Sequence, residues 1–405
     1  MTTLSHRSPA FEPKPAPAAA RAVLQMLRQL PVGTLDLQLP DGTQLRVGAG
    51  GVGAPQGAIR LFDWSVFGAA LDSGDIGFAE AFIDGRWTSP DLQSLLQLFI
   101  ANREALEALV YGRWWGSLLH RARHLLRCNS RPGSRRNIHA HYDIGNAFYG
   151  LWLDESMNYS SAWFDGDFAQ PLADAQRAKM RRALTECGVG PGDHVLEIGC
   201  GWGAVAELAT AEFGARVTGV TLSTEQLEFA QRRLAGRAGV ELRLQDYRDI
   251  ADGPFDAIVS IEMFEAVGRE YWAGYFRTLR ERLKPGGRAC VQSITIRDDL
   301  FERYLKSTDF IQQYIFPGGL LPSPSAFRAE AARAGLEVVN ELRFGADYAE
   351  TLRRWRACFL ANEAALHPLG LDTRFKRTWE FYLCYCEAAF DAGNTDVMQF
   401  TLRRA

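Results

Sequence analysis

Val195-Leu196-Glu197-Ile198-Gly199-Cys200-Gly201-Trp202-Gly203 decides the fold: an apolar, partly β-branched run enters three alternating glycines, and AVAELATAEF follows from Ala204. The apolar run predicts a buried strand and the segment after it a helix. Glycines at such a turn let backbone N–H groups approach a ligand at a helix start, where the dipole favours an anionic group. The loop alone suits several adenine-bearing ligands, so its neighbours have to choose among them.

A dinucleotide fingerprint needs G-x-G-x-x-G and an acid roughly 20 residues later. Here the spacing is G-x-G-x-G, with Glu197 before the first glycine. The runs 195–200, 216–222, 240–246, 257–264 and 288–296 read as strands, separated by helical stretches such as 224–236 and 269–283. This alternation predicts a largely parallel sheet covered on both faces. The second strand ends GVTLSTEQ, Gln245-Asp246-Tyr247 follows the third, and LKPGGRACV turns into the last. That order is expected of an α/β fold of the Rossmann-like class I S-adenosylmethionine-dependent methyltransferases.

The chain has 405 residues, enough for more than one packed unit. Its net charge of −3 argues against a global attraction to nucleic acid. Seven scattered cysteines form no disulfide framework, which points to a reducing cytoplasm. No apolar stretch is long enough to span a bilayer, and the N-terminus lacks signal-peptide order. Four parts are expected: a disordered Pro/Ala-rich arm at 1–20, a small α+β lipid-engaging module at 21–110, a basic amphipathic linker at 111–136, and a catalytic domain at 137–405. In the module, TLDLQLPDGTQLRV reads as a hairpin about Pro40-Asp41-Gly42, and Ser89-Pro90 as a helix start. The linker region holds seven arginines and two histidines between 113 and 136 without an acid, and opens on Trp114-Trp115. A packed helix with a basic tail, a bilayer contact and an RNA contact all fit that composition.

The segments flanking the glycine loop narrow the acceptor. His141-Tyr142-Asp143-Ile144-Gly145-Asn146, Phe148-Tyr149, Leu151-Trp152-Leu153-Asp154 and Met157-Asn158-Tyr159-Ser160 resemble the entry segment of the cyclopropane-fatty-acyl-phospholipid synthases and mycolic acid methyltransferases. IGCGWG, GVTLSTEQ, MFEAVG (263–268), YIFPGG (314–319), FGADYAETL (344–352) and YLCYCEAAF (382–390) extend the resemblance over roughly 137–400, in family order. It implies transfer of a one-carbon unit from S-adenosylmethionine to the double bond of an unsaturated phospholipid acyl chain. A cyclopropane is the expected product, with a methyl-branched or methylene chain as the alternative. It implies that Tyr159, Ser160, Glu197, Gly199, Gly201, Thr221 and Gln226 contact the cofactor, with Asp246 and Tyr247 near its adenine. Glu265, Tyr348 and Cys386 match residues that hold a bicarbonate ion, the family's proposed base.

Three departures cluster at that ion: Ser161 replaces a cysteine, Ala266 a histidine and Gln292 another histidine. Serine and glutamine hydrogen-bond an anion but carry no proton at neutral pH, which weakens the case for bicarbonate. Glu262, three residues before Glu265, is expected beside it on a helical turn, where paired carboxyls share a proton and one becomes a base of raised pKa. The candidate catalytic set is therefore Glu262, Glu265, Tyr348, Cys386, Ser161 and Gln292, with no metal. The segment 298–319 is expected to build the acyl tunnel, Cys384 to face the core, and His141 to order a lid. The expected partner is a phospholipid bilayer with unsaturated chains, met peripherally at the inner face of the membrane; a homodimer is left open. A small-molecule or RNA methyltransferase and a non-catalytic lipid binder are the rival classes.

Overall fold

The computed structural model describes residues 16–110 and 144–405, apart from the side chains of 107–110. The start of the arm, the basic linker at 111–136, and His141-Tyr142-Asp143 fall outside the described residues. The chain divides into two compact units, Met1–Trp114 and Trp115–Ala405.

In the first unit the alternation at 34–47 gives a hairpin: β1 (Gly33–Gln38) runs antiparallel to β2 (Gln44–Gly50), and Asp41 Oδ1 accepts from Thr43 N at 2.9 Å in the turn. β3 (Gln56–Leu61) lies parallel to β1, and β4 (Trp87–Thr88) completes the order β2-β1-β3-β4. Leu35, Leu37, Ile59 and Leu61 alternate with exposed positions and are buried, as a sheet covered on one face requires. Two expectations are corrected here. Helix begins at Ala18, inside the segment read as a disordered arm, because Ala20, Val23, Leu24 and Leu27 form a buried stripe at helical spacing. The helix Leu92–Ala101 is capped by Asp91, which accepts from Ser94 N at 3.1 Å, whereas Ser89 donates to Ala58 O.

The second unit holds a seven-stranded sheet, β10-β11-β9-β8-β5-β6-β7. Its strands are β5 (His194–Ile198), β6 (Arg216–Thr221), β7 (Val240–Leu244), β8 (Phe255–Ile261), β9 (Leu283–Ile296), β10 (Leu336–Arg343) and β11 (Thr395–Arg404). β7 through β9 pair in parallel, while β11 is inserted antiparallel between β9 and β10. Val195, Leu196, Ile258 and Val259 are almost completely buried, which explains why β5 and β8 are near-continuous apolar runs. The chain leaves β5 toward β6 and β7, then returns to β8 on the other side. Ligand crevices open at such a switch point, beyond the C-terminal ends of the strands. The glycine loop after β5 and the acidic pair after β8 are thereby brought together.

Candidate active site

A single cavity runs from the glycine loop to the segment 304–321 and the helices Gly345–Ala361 and Thr373–Asp391. At its cofactor end, Gly199, Gly201 and Gly203 all adopt positive φ, at 84°, 50° and 86°. Gly199 N and Cys200 N donate to Val220 O at 2.9 and 3.0 Å, tying the loop to β6. A Cβ on Gly201 would meet nothing within 4 Å, so the loop leaves open space for a ligand. Glu197 lines this space, is buried, and its Oε2 has no hydrogen-bond partner among the described residues. Burial pushes its carboxyl pKa well up, and an ammonium group at that oxygen would relieve the cost.

Tyr159, Ser160, Thr221, Gln226, Asp246 and Tyr247 line the same end. Thr221 Oγ1 donates to Gln226 Oε1 at 3.1 Å, and Ser223 caps the helix carrying Gln226. Asp246 is engaged by Arg248: Oδ1 accepts from Arg248 N and Nε, and Oδ2 from a guanidinium nitrogen at 2.6 Å. Burial raises the Tyr247 phenol to about 12. Trp202 Nε1 donates to Asn146 Oδ1 at 2.6 Å, and Asn146 Nδ2 donates to Glu225. Asn146 of the entry motif thus braces the glycine loop. These residues fit S-adenosylmethionine, with open backbone at the glycine loop and a buried acceptor for its ammonium.

Beyond β8 the arrangement departs from the helical turn expected for the two acids. Glu262 closes the strand with φ 49°, and a 3₁₀ turn starts only at Phe264. The left-handed residue swings Glu262 toward β9, while Glu265 returns to the cavity one step later. Glu262 Oε1 accepts from Ser161 N and from Gln292 Nε2, each at 2.8 Å, and Oε2 accepts from Tyr348 Oη at 2.7 Å. Three of the positions that the resemblance associates with a bicarbonate ion therefore converge on a carboxylate of the chain itself. The Ser161 hydroxyl is turned away and donates to Ala162 O. Ser161 and Gln292 are fully buried and line no part of the cavity, unlike Glu262, Glu265, Tyr348 and Cys386.

Glu265 Oε1 accepts from Ile294 N at 2.5 Å, and its Oε2 has no hydrogen-bond partner among the described residues. Burial, reinforced by the charge of Glu262, lifts its carboxyl to about 8. Burial also raises Glu262, opposed by Lys179, Tyr348, Ser161 and Gln292. Glu265 therefore keeps its proton at neutral pH, and negative charge on the pair is favoured on Glu262, where the donors point. Burial drives the Cys386 thiol up as well, so it stays protonated.

Lys179 was absent from the sequence reading. It is fully buried on the helix Leu172–Glu186, its Nζ donates to Ser160 Oγ, and burial lowers it to about 8 while Glu262 and Asp154 pull it up. The signal was available: Ala175, Gln176, Lys179, Met180, Ala183 and Leu184 fall on one stripe at helical spacing, which puts a lysine among core positions.

The far end of the cavity is aromatic. Tyr159 and Tyr382 share a hydrogen bond of 2.7 Å between hydroxyls, Phe316 lies 6.3 Å from the Tyr159 ring, and Tyr348 packs on Phe390 at 4.5 Å. Helix Asp298–Tyr304 and the π-helical turn Ile311–Ile315 contribute Tyr304, Ile311 and Gln312, followed by Phe316 and Leu320–Leu321. Apolar walls of this kind admit an alkyl chain, and ring faces stabilise positive charge without attacking it.

A switch-point glycine loop with a buried acid before it, in a parallel sheet with an inserted antiparallel strand, defines a class I S-adenosylmethionine-dependent methyltransferase. The sequence model described as mycolic acid cyclopropane synthetase matches residues 129–400. The chain is 39% identical over 401 residues to the tuberculostearic acid methyltransferase UfaA1 of Mycobacterium tuberculosis, covering 96% of this chain and 93% of that one. It is 33% identical over 353 residues to the cyclopropane-fatty-acyl-phospholipid synthase of Escherichia coli, covering 87% and 89%. The solved structure of mycolic acid cyclopropane synthase CmaA1 complexed with SAH and CTAB aligns with a TM-score of 0.62 at 33% identity, over 67% of this chain and 98% of that one. The chain belongs to the cyclopropane-fatty-acyl and mycolic acid methyltransferase family, and its activity is S-adenosylmethionine-dependent methylation of fatty acyl chains.

Proposed function

We propose that the protein methylates the double bond of an unsaturated acyl chain in a membrane phospholipid, with Glu262 as proton acceptor, and releases a methylene-branched chain. Bound S-adenosylmethionine supplies an electrophilic methyl group. The alkene π pair forms the new carbon–carbon bond, the carbon–sulfur pair leaves with sulfur, and a cation remains on the neighbouring chain carbon. A hydride shift from the methyl-bearing carbon moves the cation there, and loss of a methyl proton gives a methylene (C=CH2) branch on the chain. Loss of that proton before the shift closes a cyclopropane instead.

The protein acts on each step. Tyr159, Phe316 and Tyr382 face the cation with rings and keep water away. Glu262 receives the proton, since Glu265 already holds one at neutral pH. The observation that carries the product assignment is the three donors on Glu262. Each lowers its basicity and fixes it in place, so deprotonation is slow relative to a hydride shift. The anion pocket is filled by this carboxylate, leaving bicarbonate no role in the reading. The relatives' names support both outcomes, one being a methyltransferase and the other a synthase of cyclopropane chains. The substrate reading places the enzyme peripherally at the inner face of the membrane.

Incubation of the protein with methyl-labelled S-adenosylmethionine and vesicles of unsaturated phospholipid, followed by proton NMR of the released chains, tests the proposal. Olefinic signals of a C=CH2 branch are expected; cyclopropyl signals overturn the product, and no lipid labelling overturns the substrate.

A further inference from the structure

Gln292 and Gln399 are directly opposed residues on β9 and β11. Both are fully buried, and their amides join a hydrogen-bonded series with one polarity. Arg182 Nη1 donates to Gln399 Oε1 at 2.7 Å, Gln399 Nε2 donates to Gln292 Oε1 at 3.0 Å, and Gln292 Nε2 donates to Glu262 Oε1 at 2.8 Å. Gln399 Nε2 also donates to Lys179 O at 3.1 Å.

An amide presents an acceptor or a donor depending on which way it is turned. A guanidinium only donates and a carboxylate only accepts, so the two ends of this series dictate how both amides between them face. Arg182 is well placed as the fixed end. Its side chain is 13% exposed, Nη2 donates to Asn340 Oδ1 at 2.8 Å, Glu186 lies 3.6 Å away, and Trp163 faces the guanidinium. The aligned dipoles bring the influence of a positive charge at the rim of the sheet to the buried carboxylate, and each bond polarises the next.

We infer that Arg182 is a positioning residue for Glu262, acting through Gln399 and Gln292 to hold a donor on the proton-accepting carboxylate. The inference rests on the reading of Glu262 as the proton acceptor. Without the cation, Gln399 keeps only its bond to Lys179 O as an anchor among the described residues, the series loosens, and Gln292 spends a larger part of its time with Oε1 toward Glu262. That orientation repels the carboxylate and raises its pKa. The other groups acting on Glu262 are Lys179, Tyr348, the Ser161 amide and Glu265, and none of them bonds to Arg182.

The full-length protein is assayed on unsaturated phospholipid vesicles as wild type, Arg182→Met, Arg182→Lys and Glu262→Gln, with kcat followed against pH and S-adenosylhomocysteine affinity measured by calorimetry. In Arg182→Met, kcat is expected to fall about tenfold, the value of one hydrogen bond to a charged group, and the acid limb of the profile to move up by about one pH unit. Cofactor affinity is expected to stay unchanged, and Arg182→Lys, also donor-only, to recover most of the loss. An unmoved limb in Arg182→Met, or equal losses in the Met and Lys variants, overturns the inference. Side-chain amide 15N resonances of Gln292 and Gln399 give a readout independent of turnover: a second amide population in Arg182→Met supports the series, and a single unshifted one overturns it. Full activity in Glu262→Gln instead overturns the proton-acceptor reading, whatever the amides do.

Discussion

Replacing Glu262 with Gln separates the two buried carboxyls. The amide is isosteric, and the surroundings tolerate it. Its oxygen in place of Oε1 keeps the bonds from Ser161 N and Gln292 Nε2, and its nitrogen faces the Tyr348 hydroxyl, which rotates to accept. Folding and cofactor affinity are therefore preserved while the proton acceptor is lost. A positioned base contributes about 10²- to 10⁴-fold, so kcat is expected to fall by that factor, equivalent to roughly 3 to 5 kcal/mol of barrier at 1.36 kcal/mol per decade. Glu265→Gln should behave differently at pH 7, since the amide mimics the protonated carboxyl that burial and Glu262 maintain up to about 8; a loss of no more than about threefold is expected, too small for the removal of a base. The assay is single-turnover release of S-adenosylhomocysteine on unsaturated vesicles, with substrate saturating. A severe loss in Glu265→Gln with near-normal Glu262→Gln would reverse the roles, and wild-type rates in both would remove the pair from proton transfer.

Gly201→Val should weaken S-adenosylhomocysteine binding by at least about 100-fold, or 2.7 kcal/mol, because the φ of 50° disfavours any side chain and a Cβ would enter the open space by the loop; unchanged calorimetric affinity would refute the loop's role. Lys179→Met should raise the acid limb of kcat against pH, since Glu262 loses its nearest cation, and an unmoved limb would assign Lys179 to packing. Stability against pH reads the same two groups. The folded pKa of Glu265 is raised to about 8, so the folded state binds the extra proton between roughly 4.5 and 8 and stability falls across that window, by an amount on the order of a few kcal/mol. Lys179 is lowered to about 8, so it binds fewer protons folded than unfolded, and stability rises from about 8 toward the ordinary lysine value. Urea titrations should flatten in the lower window for Glu265→Gln and in the upper one for Lys179→Met; parallel curves would contradict the shifts.

The sheet was legible because its signals are local. β5 and β8 are buried on both faces and read as apolar runs, and three glycines marked the switch-point loop. The candidate cofactor residues meet at one end of the cavity, since strand ends at a switch point meet in space whatever the intervening lengths. The N-terminal helix escaped because Pro and Ala composition outweighed a stripe of only four buried apolar residues. Ser89-Pro90 misled because Asp91, one residue nearer the helix, makes the better cap.

At the acidic pair, the sequence placed the right residues together for the wrong reason. Spacing of three suggested a helical turn, but a single left-handed residue sends Glu262 sideways into the sheet and Glu265 back into the cavity. That difference sets the chemistry. On one helical face both carboxyls would share the cavity's surroundings and split their proton evenly. In the fold, Glu262 collects three donors and a nearby lysine, whereas Glu265 accepts one amide and feels the charge of Glu262. Of the two residues that looked like losses, at 161 and 292, it is the glutamine whose side chain helps to make this asymmetry. Ser161 contributes a backbone amide, which any residue there supplies, whereas Gln292 contributes an amide oriented by Gln399. Gln399 lies 107 positions away in the chain and is matched to Gln292 only by strand register, so no spacing rule could have paired them.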